Sequence, residues 1–377
     1  MPFSTQSPPQ TRLLIHLDHI AHNLNYFRSF LKPTTKLMAL VKANGYGHGI
    51  VGMSLALERM KLADHLGVAF PNEGIELRKA GITLPITVLT PGLFSFSELI
   101  DYQIYPGITN FEALRTYIQV VQQKGLKQVP FHLALDTGMH RVGFEPHHIH
   151  QLIEILKNNP YILPVSIFSH LAAADEVLHD EFTQSQIDLF TKMSQQICAV
   201  LPQPPILHIL NSPGTERFSH AQFDMVRIGI GMYGISAIDQ SRLKNPSTLC
   251  CPIIQIKEVP CGETIGYGRQ GKTTDGTKTI ATLPVGYADG VNRHLGQGAA
   301  KFLVNGKLAP TIGNICMNMC MIDITGIPAT QEDTVILFGA PPAFTAIDWA
   351  NILRTIIYEI YTSVSQNVQR AYIDGDV

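Results

Sequence analysis

LMALVKANGYGHG, residues 37–49, decides the fold. Its first five residues form a continuous apolar run, the pattern of a strand buried on both faces, and a lysine and a glycine-rich turn follow at once. Further runs of this kind are LGVAF (66–70), ITVLT (86–90), IYPGI (104–108), FHLAL (131–135), VSIFS (165–169), ILHIL (206–210) and MVRIG (225–229). Between most of them lie amphipathic stretches long enough for helices, such as 72–80, 111–123, 147–158 and 181–200. Eight such strand–helix units over roughly 230 residues predict an α/β fold, a (β/α)8 TIM-type barrel. A doubly wound open sheet has the same periodicity and is the alternative. Upstream, Asp18 reads as the cap of a helix whose Ile20, Leu24, Phe27 and Leu31 share one face.

After about residue 245 the pattern shifts to short alternating runs: PIIQIKEV (252–259), KTIATLPV (278–285), KFLV (301–304), MIDIT (321–325) and TVILF (334–338). Asn305-Gly306 between KFLV and KLAP is a two-residue hairpin signal. One helical stretch, Asp348 to Ile360, comes near the end. The expectation is a barrel over 10–240 and a mostly antiparallel β-domain over 241–377, joined by the polar stretch 238–248.

Composition agrees with two globular domains. The 377 residues are 45% hydrophobic and 15% charged, with net charge −2. That gives no electrostatic handle for nucleic acid or acidic lipid. No apolar run is long enough to span a membrane, and Met1 to Gln10 lacks the basic start and apolar middle of a signal peptide. A cytoplasmic protein is expected. The six cysteines include no C-x-x-C pair. Reduced thiols are expected, and no metal site, since Cys316 and Cys320 have no nearby histidines.

In a parallel barrel, functional groups gather where strands end. Lys42 leaves the first strand; its bland reading is a solvated residue in a tight turn. Asp136-Thr137-Gly138-Met139-His140-Arg141 follows the fifth strand, and Arg141 suits a carboxylate or is a surface cation. Ser169-His170 ends the sixth, where a histidine is structural or catalytic. Asn211-Ser212-Pro213-Gly214 ends the seventh and suits a phosphate or plain helix capping. Arg227 lies inside the eighth, costly there without a partner, and a structural salt bridge is the plain account. These groups fall at one end of the expected barrel. Together they offer an amine beside anion-binding groups. A desolvated lysine amine can form a Schiff base with an aldehyde that carries a phosphate tail.

The motifs VKANGYGHG (41–49), DTGMHRVGF (136–144), SHLAAADE (169–176), NSPGT (211–215), VRIGIGMYG (226–234), GYG (266–268), PVGYADGVNR (284–293) and GNICMNMCMID (313–323) resemble those of alanine racemases, in order, over nearly the whole chain. The resemblance implies a pyridoxal 5'-phosphate enzyme that interconverts L- and D-alanine and supplies D-alanine for peptidoglycan. It implies a homodimer in which the β-domain of one subunit completes the other's active site. Carried over residue by residue, Lys42 would hold the cofactor and serve as one base, and Tyr267, from the partner, as the other. Arg227 would face the pyridine nitrogen. Arg141 and the backbone of Met317 would hold the substrate carboxylate. Tyr46, Asn211, Ser212, Gly229 and Ile230 would surround the cofactor. His170 would bridge Tyr267 and Arg227. Asp175, Tyr287 and Arg293 would line the substrate corridor. Inverting a centre needs a proton removed from one face and returned on the other, so two carriers are required.

The chain also departs from the family pattern. Ala134 stands where many members have a carbamylated lysine, Asn318 where an aspartate is usual, and Asn314 where a corridor arginine is found. Gln366 replaces a tyrosine that touches the phosphate and narrows the entrance, which predicts a wider, less selective entrance. A broader-specificity racemase is therefore the nearest alternative, ahead of a decarboxylase of the same barrel class. A non-catalytic pyridoxal-phosphate-binding barrel is the alternative from another class, and residues 250–377 argue against it.

Overall fold

The computed structural model describes residues 10–374. Nine strands are met in order: β1 (Arg12–His16), β2 (Lys36–Leu40), β3 (His65–Val68), β4 (Ile86–Val88), β5 (Tyr105–Ile108), β6 (Val129–Ala134), β7 (Ile162–Phe168), β8 (Ile206–His208) and β9 (Met225–Ile228). Strands β2 to β9 form one parallel eight-stranded sheet in which β2 pairs with both β3 and β9. The backbone N–H of Asp224 donates to Leu207 O and that of Arg227 to Leu210 O, which joins β9 to the β8 segment and closes the ring. That closure excludes the doubly wound alternative. The strands could be located because each is dominated by apolar residues: Leu37, Met38, Ala39, Leu66, Val68, Ile86, Val88, Val226 and Ile228 are all fully buried.

Asp18 falls at the start of the expected helix. It lies one residue inside Leu17–Arg28, in the first turn, where a carboxylate complements the helix dipole. Ile20, Leu24 and Phe27 share the buried face as expected, while Leu31 falls beyond the helix end.

Contacts divide the chain into two compact units. One comprises His19–Gly45 and Ile50–Lys244, which contains the barrel. The other comprises the residues up to Asp18, Tyr46–Gly49 and those from Asn245 onward. In this second unit β1 pairs antiparallel with β10 (Ser247–Pro252) and parallel with Gln369–Ile373, inside a six-stranded sheet. Gln255–Val259, Lys278–Leu283 and Cys320–Asp323 form a separate antiparallel sheet. Lys301–Val304 and Lys307–Pro310 form the expected hairpin, with φ of 48° at Asn305 and 79° at Gly306. The expected helix 348–360 is two, Ala346–Leu353 and Ile357–Ser363, because Arg354 takes a left-handed φ of 53° between them. Among the described residues no helix is long and apolar enough to cross a membrane.

Candidate active site

The C-terminal ends of β2, β6, β7 and β9 converge on one cavity, lined by Lys42, Arg141, His170 and Arg227. Ala134 and Phe168 supply part of its apolar wall. Lys42 stands two residues past β2 and opens a left-handed turn. Ala43, Asn44 and Gly45 have φ/ψ of 53/52°, 55/46° and 62/43°, and Tyr46 continues with φ 51°. Left-handed backbone costs an L-residue about 1–2 kcal/mol, so the surroundings must hold this turn. Gly45 N–H donates to Val41 O at 2.7 Å, and Asn44 Oδ1 accepts from Ile50 N–H at 3.0 Å. The next glycine is spaced for protein rather than for a ligand. A Cβ at Gly47 would lie 2.0 Å from the Tyr361 carbonyl oxygen. Arg370 donates to Gly47 O from Nε at 3.0 Å and from Nη2 at 2.9 Å.

Burial is the main cause that lowers the Lys42 pKa; the guanidinium of Arg141 lowers it further, the Glu73 carboxylate opposes the drop, and Arg227 adds to it. Arg141 is exposed on the loop after β6, which Asp136 orders by accepting from Gly138 N–H at 2.9 Å and His140 N–H at 3.1 Å. Among the described residues Arg141 has no hydrogen-bond or ion-pair partner, so its fork is unspent toward the cavity.

Arg227 is 2% exposed, yet among the described residues it meets no carboxylate, so the salt-bridge account of it does not hold. Nη1 donates to His208 Nδ1 at 2.7 Å and to His208 O at 3.2 Å. Nη2 donates to Ser169 O at 2.6 Å, Ile209 O at 2.9 Å and His170 Nδ1 at 3.2 Å. Its Nε–H alone has no acceptor among the described residues. Burial, with a smaller contribution from Arg141, pulls its pKa down to about 9, which leaves it a cation near neutrality. His170 is held well below the ordinary histidine value by burial, then by Arg227, Arg141 and Lys42. A neutral His170 that accepts at Nδ1 keeps its hydrogen on Nε2.

Asn211 does cap the helix Ser212–Arg217, accepting from Gly214 N–H at 2.9 Å. Ser212 is buried, and its Oγ accepts from Gly229 N–H at 3.0 Å and Gly231 N–H at 3.2 Å. The Ser212 hydroxyl hydrogen and the Ile230 N–H remain without acceptors among the described residues. Capping and ligand binding are thus not exclusive here: the loop after β8 provides a cap and one unspent donor, and the loop after β9 a second.

A family model for the alanine racemase N-terminal domain matches residues 15–237, and one for the C-terminal domain matches 247–372. The chain belongs to the alanine racemase family. By that membership it is an enzyme, an alanine racemase. Alanine racemase 1 of Clostridium acetobutylicum is 37% identical over 376 residues, covering 96% of this chain and 95% of that one. The alanine racemase structure of Clostridium difficile 630 superposes with a TM-score of 0.91 at 34% identity, over 98% of this chain and 97% of that one. The alanine racemase of Bartonella henselae with covalently bound pyridoxal phosphate does so with a TM-score of 0.85 at 26% identity, over 97% and 100%.

The remaining racemase-like positions lie in the second unit, apart from Asp175, which is exposed on the loop after β7. Tyr267 is 71% exposed. Its carbonyl accepts from Asn314 Nδ2 at 2.9 Å, and Gln297 Nε2 donates to Asn314 Oδ1 at 2.8 Å. Asn314 therefore fastens the Tyr267 backbone. Met317 is exposed, and its N–H has no acceptor among the described residues. Gly286 lets that loop approach, since a Cβ there would lie 2.2 Å from Cys316 O. Tyr287 and Arg293 line a cavity with Glu359 and Ser363. Tyr46 is buried in this unit, with its ring 6.0 Å from that of Tyr358, and burial raises its phenol pKa strongly.

Glu73 was not singled out in the sequence. It is buried, and its carboxylate accepts from Ala69, Phe70 and Ala43 N–H groups. The available signal was a glutamate three residues after Phe70, just behind Pro71 at a helix start.

Proposed function

We propose that this racemase interconverts L- and D-alanine with pyridoxal 5'-phosphate at the barrel mouth, by proton transfer between Lys42 and Tyr267. The observation that carries the reading is the Lys42 amine, desolvated and flanked by two guanidinium groups in one cavity. The unspent donors fit the cofactor. The Ser212 hydroxyl and Ile230 N–H suit a phosphate; Arg227 Nε–H suits a ring nitrogen that accepts. When bound, the cofactor supplies an aldehyde for the amine and a ring that withdraws electrons from the alanine Cα.

The chain's own residues do the rest. Lowering the Lys42 pKa makes the free amine available to attack and to carry a proton on one face. Tyr267 carries the proton on the other face. His170, neutral and accepting from Arg227, directs Nε2–H toward that phenol. Arg227 remains charged near neutrality and would offer the ring nitrogen a hydrogen bond without surrendering its proton, which would limit the ring's uptake of negative charge and disfavour transamination. Arg141 and the Met317 N–H hold the substrate carboxylate. Tyr46, Asn211, Ser212, Gly229 and Ile230 surround the cofactor, and Asp175, Tyr287 and Arg293 form the corridor.

A homodimer accounts for the exposed tyrosine. Phe70, Phe94, Val142, Val177 and Leu178 leave an exposed apolar rim on the loops at the strand exits, the kind of surface a partner subunit covers. In this reading the barrel, roughly 10–240, holds the cofactor, and 241–377 completes the partner's site. The product serves peptidoglycan synthesis in the cytoplasm. Borohydride reduction followed by digestion tests the reading: the cofactor mass should sit on the Lys42 peptide, and purified enzyme should abolish the optical activity of L-alanine. A label on another lysine, or L-alanine left unchanged, would overturn it.

A further inference from the structure

Glu73 sits at the third position of the helix Pro71–Lys79, where a glutamate ordinarily reaches back to one backbone N–H. Here Oε2 makes that bond twice, accepting from Ala69 N–H at 2.8 Å and Phe70 N–H at 3.0 Å. Pro71 has no N–H to offer. The other oxygen, Oε1, leaves the helix and accepts from Ala43 N–H at 2.6 Å. Ala43 immediately follows Lys42 and is the first left-handed residue of the turn. One buried carboxylate thus ties the exit of β3 to the exit of β2. Helix capping explains the first two bonds and not the third.

We propose that Glu73 is a positioning residue for Lys42: it pins the left-handed turn through Ala43 and brings a carboxylate to the backbone next to the lysine. The inference rests on the assignment of Lys42 as the cofactor lysine. The two functions have different chemical requirements. Pinning needs an acceptor at Oε1 distance; the counter-charge needs an ionised carboxylate. Arg141 and Arg227 both oppose a charged amine, and Glu73 is the carboxylate that offsets them. Without it the amine would lose its proton more readily and its backbone would lose a tether.

The test follows acetylation of Lys42 by acetic anhydride across pH, by peptide mass, in full-length protein freed of bound aldehyde with hydroxylamine. In Glu73→Gln the midpoint of the acetylation profile should move down by about half a unit to one unit, since removing a nearby negative charge favours the free amine. In Glu73→Asp the shorter carboxylate keeps the helix bonds and cannot span to Ala43. Its profile should move the same way by less, and in loaded enzyme kcat should fall about tenfold with KM little changed. A wild-type acetylation profile in either variant that retains the native circular dichroism spectrum would overturn the proposal. If the glutamine variant fails to fold, the aspartate variant decides alone. Racemisation and cofactor attachment in the unmodified protein are read separately, so failure here leaves the assignment of Lys42 standing.

Discussion

Arg227 donates from Nη1 to His208 Nδ1 at 2.7 Å, and His208 Nε2 lies 2.7 Å from Ser166 Oγ. Because the guanidinium is donor only, His208 must accept at Nδ1 and carry its hydrogen on Nε2. Among the described residues the strand-end arginine is held by two neutral histidines, His208 and His170, and by backbone carbonyls, not by an anion. Its positive charge is therefore not cancelled by a neighbouring anion.

Replacing Arg227 by methionine should cost about 3 kcal/mol or more, because buried acceptors on His208, Ser169 and Ile209 lose their donor together. Urea denaturation at pH 8 measures this. A loss below 1 kcal/mol would mean the network is not satisfied by Arg227 in solution.

The shared-site arrangement predicts complementation. Lys42→Ala and Tyr267→Phe are each expected to lower kcat by more than about 100-fold. Refolding the two variants together should restore up to about a quarter of wild-type activity, since half the dimers are mixed and one site in each is intact. No recovery in a verified mixed dimer would place both residues in sites of a single chain.

The barrel interior predicts acid sensitivity. His65 Nε2 is 2.7 Å from Thr87 Oγ1, and the His132 ring packs 5.5 Å from His65 and 5.9 Å from His208. Burial drives the His65 pKa down to about 3 and those of His132 and His208 well below the usual value. A histidine depressed in the fold binds its proton more tightly when unfolded. Its stabilisation is complete above pH 6.5 and is lost as pH falls from there toward 3, at up to about 1.4 kcal/mol per pH unit for each histidine. The urea midpoint should therefore drop steeply between pH 7 and pH 5, and His132→Asn should flatten that slope.

Substrate range should depend on Ala134 and Gln366. Ala134 lines the cavity with nothing beyond a methyl group, and Gln366 is exposed. Serine and larger amino acids should be racemised at a substantial fraction of the alanine rate. Gln366→Tyr should narrow that range by lowering kcat/KM for the larger substrates. Strict alanine preference in the unmodified enzyme would count against the wide entrance.

The eight barrel strands were legible because both faces of each are buried, so the apolar runs are continuous and need no partner to be recognised. The same local logic located the Asn305-Gly306 hairpin. β1 was missed: RLLIH is short, and it becomes a strand by pairing with residues more than two hundred positions away. Gln369–Ile373 was missed for the same reason, hidden behind a polar stretch. Of the site, Lys42, Arg141, His170 and Arg227 could be read from their places at strand ends, and the structure brings these four to one cavity.

Residue order alone determined the alternation of elements, the end of the barrel at which polar groups collect, and the family. Those properties are set by local hydrophobic period and by chemical type. Only the tertiary structure decided that Arg227 is satisfied without a carboxylate, that Asn314 fastens Tyr267, and that Glu73 reaches across to Ala43. These depend on where the ends of different strands meet in space. A buried donor takes whichever acceptor the packing brings within 3 Å or so, and sequence separation carries no record of that choice.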